Sequence, residues 1–317
     1  MTYRLPLIST LAIAVQMVLG GIVVGENAGF VCPDWPLCDG QVLPKLSGMV
    51  ILELVHRFSA VAVTVLVIWV AVLAWRRARQ ERAVVWLASF GVVSLFLQVI
   101  VGGLIVILTL PGVTTTIDVA NSMVLLGLYV ALTLVTHRRE KVNRGEQLDS
   151  DRALYSLAAP AWSVWGVSFF AILAGAVFRH TGASQALYGQ NSYLASHGQH
   201  DIPSLALSKG LLMFHVSTGI LVAAAALWFL LSAIRAKRLV PLAWAQVVLV
   251  AFQAGFGVWS LGSQLALLPA TLHWSNAAFL LGVLTWAGVT AQLAKYGLEP
   301  VADSVRRTPM RNPGTVS

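Results

Sequence analysis

The sequence predicts an all-α integral membrane protein whose eight transmembrane helices form two parallel-repeat four-helix bundles. Its composition is the first indication, because the 317 residues are 57% hydrophobic and only 11% charged, which is too apolar for a soluble domain. A helix needs about 20 mostly apolar residues to cross a bilayer. Eight segments meet this requirement: 7–25, 48–75, 84–109, 117–136, 155–178, 208–234, 239–262 and 268–294.

The first segment is too long for the apolar region of a signal peptide, and no small-residue cleavage site follows it. We therefore expect it to be a retained helix.

The distribution of charge predicts the orientation in the membrane. The net charge is +8, and Lys and Arg are concentrated in alternate loops. These basic residues are Arg76, Arg77, Arg79, Arg82, Arg138, Arg139, Lys141, Arg144, Arg152, Arg235, Lys237, Arg238, Lys295, Arg306, Arg307 and Arg311. The positive-inside rule then places both termini on the cytoplasmic side of the cell inner (plasma) membrane. The outer loops are 26–47, 110–116, 179–207 and 263–267. Because topology accounts for the basic charge, nucleic acid is not an expected partner.

An internal repeat predicts the division into two halves. Gln98 precedes Gly102 by four residues, and Gln253 precedes Gly257 by the same interval. The predicted units are an N-terminal four-helix half (1–136), a cytoplasmic linker (137–152), a C-terminal four-helix half (153–294) and a cytoplasmic tail (295–317). Each half has an even number of helices, so both halves run in the same direction. An axis along the membrane normal relates such repeats.

Three histidines lie inside long apolar stretches, where a polar ring is costly. They are His56, His215 and His273. An ionisable residue within a membrane is a functional-site hypothesis by default. Neutral imidazole is also an iron ligand, so histidines that face each other across a helix bundle suggest haem.

The repeat divides these residues into two unequal sites. His56 pairs with His215, since His56 lies twenty residues before Arg76 and His215 lies twenty residues before Arg235. Aligning Asn121 with Asn276 then places Asp118 opposite His273. All four positions lie within about ten residues, or roughly 15 Å, of the outer end of their helix. His215 and His273 suit a six-coordinate haem, whereas His56 with Asp118 has one strong ligand and suits a haem that binds and leaves.

The run Glu53-Leu-Val-His56-Arg57 brings further ionisable groups to the first site. The i, i+3 and i, i+4 spacings place all three side chains on one helix face. Two roles for Glu53 stay open: a proton-transferring carboxylate, or the partner of Arg57 in a structural ion pair. Arg57 is a partner for Glu53 or for a haem propionate.

The only two cysteines, Cys32 and Cys38, lie in the first outer loop. An oxidising compartment permits a disulfide there, and a local staple is the simpler interpretation of so short a loop. His180, His197 and His200 lie in the third outer loop, either as exposed polar residues or as a metal site.

Together these motifs resemble the haem A synthases of bacteria and mitochondria. The resemblance covers about 7–294 and implies two four-helix halves, a haem b cofactor in the C-terminal half and substrate haem O in the N-terminal half. It implies that His215 and His273 ligate the haem b iron. It also implies that His56 holds the substrate haem, that Glu53 is the catalytic carboxylate, and that Cys32 and Cys38 form the outer-loop disulfide.

The chain departs from the family pattern in three places. Asp118 stands where the family usually has histidine, Val216 replaces the arginine that usually follows the helix-six histidine, and a second cysteine pair is absent. Asp118 could ligate iron weakly, act through water, leave the iron five-coordinate, or cap its helix after Thr114–Thr116.

The resulting expectation is an oxidoreductase that oxidises a methyl group of haem O to the formyl group of haem A for terminal oxidases. Its partners would be haem O, the haem O-producing farnesyltransferase and membrane lipid. The alternative is a non-catalytic b-type cytochrome, either a quinol-linked electron carrier or a haem carrier, and a transporter without haem is a third class. Formation of haem A distinguishes the enzyme from the carriers.

Overall fold

A computed structural model describes residues 2–26, 28–108, 112–188 and 203–297. Most of the chain in these ranges is helical, and eight helices are long and apolar enough to cross a membrane. They are α1 (Arg4–Gly25), α2 (Gly48–Arg77), α3 (Arg82–Leu108), α4 (Gly112–Asn143), α5 (Ala158–His180), α6 (Leu205–Ala236), α7 (Val240–Gly262) and α8 (Leu267–Leu293). Shorter helical segments span Ala28–Phe30, Arg152–Tyr155 and Ala183–Tyr188. The predicted all-α membrane fold is confirmed for this part of the chain.

Large apolar side chains remain exposed along these helices, as a surface that faces lipid requires. Phe96 is 67% exposed and Val258 is 74% exposed. Local signals define several helix ends. Ser204 accepts a hydrogen bond from the Leu207 amide and caps α6, and Pro241 occupies the first turn of α7, where its missing N–H costs nothing.

Helix α4 is longer than the apolar run predicts. It begins at Gly112 and continues to Asn143, so the first part of the predicted linker is helical. Its final residues are good helix formers such as Arg, Glu and Lys, and a helix can therefore extend beyond the hydrocarbon. Asp118 lies well inside α4, and the hypothesis that it caps this helix is wrong.

Helix packing brings four helices to the centre of the molecule. Helices α1 to α4 contact one another, as do α5 to α8. Contacts between the two sets run through α1, α4, α5 and α8. The two buried apolar clusters follow this division, one mainly on α1 to α4 and the other on α5 to α8.

Specific hydrogen bonds join the two sets of helices. The Trp274 indole N–H of α8 donates to the Met17 carbonyl of α1 over 2.8 Å. At the opposite end, the Arg138 guanidinium of α4 donates to the Leu293 and Tyr296 carbonyls at the end of α8. An arginine in this position satisfies carbonyls that a helix end leaves without partners. These bonds hold the N-terminal and C-terminal helices in one relative position.

Candidate haem site

Two histidine rings face each other in the C-terminal set of helices. His215 on α6 and His273 on α8 have ring centroids 6.2 Å apart and ring planes at 81°. Nδ1 of His215 lies 3.1 Å from the Ala171 carbonyl oxygen, and Nδ1 of His273 lies 3.0 Å from the Gln253 carbonyl oxygen. A carbonyl only accepts, so each Nδ1 carries the proton in these hydrogen bonds. Each Nε2 is then left with a lone pair.

This separation suits one metal ion between the two rings. A metal–imidazole bond is about 2 Å long, so two imidazoles on opposite sides of one ion have centroids roughly 6 Å apart. Ligating histidines also usually donate their second ring N–H to a carbonyl or carboxylate. The Gln253 side-chain nitrogen lies 3.1 Å from Nε2 of His273, and metal ligation requires this amide to turn aside.

Two glycines lie directly against the histidine rings. A Cβ atom added at Gly175 would lie 2.6 Å from Cε1 of His215, and one added at Gly257 would lie 3.0 Å from Cε1 of His273. A residue larger than glycine at either position would collide with the adjacent histidine ring. Across the described ranges, no group of three or more His, Cys, Asp or Glu side chains could hold a metal ion by itself. A pair of imidazoles is a donor set that suits an iron already held by a porphyrin.

His56 on α2 is held by α1 in the N-terminal set of helices. The Gln16 side-chain nitrogen lies 3.1 Å from Nδ1 of His56 and donates to the His56 carbonyl over 3.2 Å. Ser59 donates in turn to the Gln16 side-chain oxygen. A Cβ added at Gly20 would lie 3.3 Å from Cε1 of His56. The ring therefore lies against a glycine, as the rings of the C-terminal pair do.

Asp118 on α4 faces α3. Its carboxyl group lies beside the Gln98 side chain, and its Oδ1 atom is buried with no hydrogen-bond partner among the described residues. Among the residues that the structure describes, no hydrogen bond or ion pair joins Asp118 to His56. The structure thus brings His215 and His273 into ring contact but shows no direct contact between the two N-terminal candidates.

Glu53 and Arg57 form a buried ion pair on α2. Arg57 Nε donates to Glu53 Oε1 over 2.6 Å, with side chains 12% and 5% exposed respectively. Arg57 Nη1 also donates to the carbonyls of Asp34 (3.0 Å) and Leu37 (2.5 Å) in the first outer loop. Glu53 Oε2 and Arg57 Nη2 are buried and have no hydrogen-bond partner within the part of the chain that the structure describes. Arg57 therefore anchors the outer loop to α2 while it binds the carboxylate.

The first outer loop covers the outer end of the N-terminal helices. Cys32 and Cys38 form the expected disulfide. The Asp34 carboxylate accepts hydrogen bonds from the Gly40 and Asp39 amides over 2.8 and 2.7 Å. These bonds, that of Gly40 foremost, hold the pKa of Asp34 below its usual value. The Trp35 ring lies over Gly103 of α3, where an added Cβ would be 3.0 Å from Cδ2.

Sequence reasoning did not identify the side chains that hold the histidines. Gln16 and Gln253 carry polar amide side chains within apolar helices. Because a polar group in a membrane costs free energy, their position in the sequence already indicated a functional role. Another difference concerns His180, which is the last residue of α5 rather than part of the loop. His197 and His200 lie outside the described residues.

The sequence of this chain matches one protein family and several named relatives. A family model described as "Cytochrome oxidase assembly protein", COX15-CtaA, matches residues 2–130 and 46–285. A protein of Bacillus licheniformis named Heme A synthase is 26% identical over 299 residues, which cover 89% of this chain and 93% of that protein. The Heme A synthase of Bacillus pumilus is 24% identical over 303 residues, covering 92% and 95%. That of Shouchella clausii is 27% identical over 263 residues, covering 80% and 85%.

Proposed function

Because the chain belongs to the COX15-CtaA family of cytochrome oxidase assembly proteins, we propose that it is a membrane-embedded haem A synthase. The reaction is the oxidation of a ring methyl group of haem O to the formyl group of haem A by successive oxygenations. Each oxygenation inserts one oxygen atom into a C–H bond and reduces the other to water, with two electrons and two protons consumed. The methyl carbon passes through an alcohol to a hydrated aldehyde, which loses water.

The observation that carries this proposal is the facing pair His215 and His273. Their centroid separation of 6.2 Å would allow both imidazoles to hold one iron, and their Nδ1 contacts are the hydrogen bonds that ligating histidines usually make. We assign haem b to this pair. A haem bound there supplies one-electron redox chemistry. Gly175 and Gly257 keep the two rings clear of bulk from the neighbouring helices.

The N-terminal helices form the substrate site in this proposal. His56 binds the iron of haem O, and Gln16 holds the imidazole in place through α1. Glu53 accepts or relays protons during the oxidation of the methyl group, and its buried Oε2 is the atom available for this role. Arg57 keeps the carboxylate oriented through Oε1. Its contacts with the outer loop also support a role in keeping water out of the site.

The charge pattern supports an inner-membrane location with both termini in the cytoplasm. The substrate carries a long apolar farnesyl chain and would reach the protein from the bilayer, so the farnesyltransferase that makes haem O is the proposed supplier. The alternative of a non-catalytic b-type cytochrome or haem carrier is not favoured, because the relatives that match nearly the whole chain are named as synthases.

Pigment analysis tests the proposal directly. The full-length protein is produced in cells that make haem O but no haem A, and extracted haems are separated by chromatography. We expect haem A to appear with the wild-type chain. In purified protein, His215→Ala and His273→Ala should each abolish the low-spin haem b spectrum. Active membranes that form no haem A would refute the synthase, and a spectrum unchanged in both variants would refute the ligand assignment.

A further inference from the structure

We infer that the N-terminal site binds its haem iron through His56 alone and leaves the opposite axial position, beside Asp118, open to a small diatomic molecule. The inference rests on the proposed function, since it takes His56 to be the ligand of the substrate haem. It then identifies the face of the iron at which oxygen binds.

Two hydrogen bonds place Asp118 and His273 in corresponding surroundings. Asn121 donates to the Gln98 side-chain oxygen over 2.6 Å, and Asn276 donates to the Gln253 side-chain oxygen over 2.6 Å. The partners are 23 residues apart in both cases. The same amides donate to backbone carbonyls 27 residues away, over 2.8 and 2.9 Å.

Each of these glutamines also contacts the candidate axial residue of its own half. Gln253 lies 3.1 Å from Nε2 of His273, and the Gln98 side chain lies beside the Asp118 carboxyl group. The Asn–Gln arrangement is therefore the same in both halves, and the axial residue is what differs between them.

The two halves also differ in the space beside that residue. At Gly257 an added Cβ would lie 3.0 Å from Cε1 of His273, so the imidazole fills the space in front of this glycine. At Gly102, which follows Gln98 as Gly257 follows Gln253, an added Cβ would meet nothing within 4 Å. Aspartate is shorter than histidine, and it leaves open the volume that the His273 ring occupies.

The His56 side of the site matches its counterpart. An added Cβ at Gly20 would lie 3.3 Å from Cε1 of His56, and one at Gly175 would lie 2.6 Å from Cε1 of His215. Both Nδ1 atoms have a polar neighbour at 3.1 Å on the helix that carries the glycine. One imidazole ligand is thus retained in each half, and only the second is replaced.

Asp118 is poorly suited to close the open position itself. Imidazole suits iron, whereas carboxylate oxygens suit harder cations such as Mg²⁺, Ca²⁺ and Mn²⁺. Its buried Oδ1 has no donor, and a buried acceptor gains from a hydrogen-bond donor in the open volume. A diatomic molecule bound to the iron is the occupant that suits the open position. The Asp118 carboxyl group would lie beside it, and the protein would supply no second ligand.

Carbon monoxide is the probe, because it binds five-coordinate ferrous haem and is excluded where two histidines already ligate the iron. Full-length protein is titrated with protohaem until both halves are filled, reduced, and exposed to CO. We expect one CO per chain in the wild type. Asp118→His should abolish CO binding and give a second low-spin haem, since Gln98 and Gly102 stand beside position 118 as Gln253 and Gly257 stand beside His273. The reverse variant, His273→Asp, should add a second CO.

His56→Ala should remove the haem that binds CO, while the His215–His273 spectrum reports that the protein is folded. The inference is overturned if the filled wild type binds no CO, if Asp118→His leaves CO binding unchanged, or if the N-terminal half takes up no haem. Haem A formation by the same preparations is scored separately. A chain that makes haem A without binding CO would refute only this inference, and one that binds CO without making haem A would refute only the synthase.

Discussion

Removing Arg57 should destabilise the protein far more than removing an exposed arginine whose ion pair has a similar N–O distance. In Arg57→Met the guanidinium is lost, and Glu53, whose side chain is 5% exposed, keeps a buried carboxylate without its partner. Breaking a buried ion pair from one side costs about 3–5 kcal/mol. The variant also loses the bonds to the Asp34 and Leu37 carbonyls, which places the expected loss toward the upper end of that range.

The chain contains a matched control. Arg139 and Glu81 form an ion pair of 2.8 Å, close to the 2.6 Å of the buried pair, but their side chains are 43% and 33% exposed. Water and salt screen such a pair, so Arg139→Met should cost no more than about 1 kcal/mol. Both substitutions replace an arginine with methionine, and the two ion pairs have similar N–O distances. The main difference between the two ion pairs is that one is buried and the other is exposed.

Thermal unfolding of the detergent-solubilised protein, followed by helix circular dichroism, measures the difference. At roughly 2–4 °C per kcal/mol, a loss of about 5 kcal/mol means that Arg57→Met should lower Tm by about 10–20 °C, and Arg139→Met by only a few degrees. Adding Glu53→Gln to Arg57→Met should recover part of the loss, because no charge is then left buried without a partner. Equal losses for the two arginine variants, or no recovery in the double variant, would refute the reasoning.

Three further outcomes follow from the site. Gly175→Ala should displace the His215 ring, because the added Cβ would lie 2.6 Å from it, and should lower the haem b content several-fold. Gly219→Ala, where an added Cβ meets nothing within 4 Å, should leave haem content unchanged. Glu53→Gln should abolish conversion of haem O, seen as unaltered haem O in pigment extracts, while the haem b spectrum stays; retained activity would exclude the carboxylate. Because the pKa of Asp34 is lowered, its hydrogen bonds to the loop amides are fully formed above about pH 3.8. They are lost as the pH falls through the lowered pKa. Protection of the amides in 32–41 against exchange, measured relative to an unstructured chain at the same pH, should therefore fall in acid, and Asp34→Asn should flatten that pH dependence.

Much of the architecture was predictable from the sequence because a bilayer penalises each polar group locally. A window of about 20 residues contains the information that a spanning helix needs, and this is why all eight helices were predicted. The same cost made His56, His215 and His273 candidates for a functional site. It applies equally to the amide side chains of Gln16 and Gln253, which the sequence therefore also indicates. The prediction was less accurate at α4, because its last residues, to Asn143, are charged but still helical.

The partners of these residues were decided only by the tertiary structure. Spacing along α2 placed Glu53 and Arg57 on one face but could not show that the guanidinium also binds the carbonyls of the outer loop. The alignment of the two halves matched Asp118 with His273, whereas the open space at Gly102 became visible only once α3 and α4 were packed together. The reason is physical: insertion into a membrane depends on the hydrophobicity of one segment, which the chain carries within itself. The rotation of each helix about its axis depends on side chains far away in sequence, and that rotation determines which groups meet.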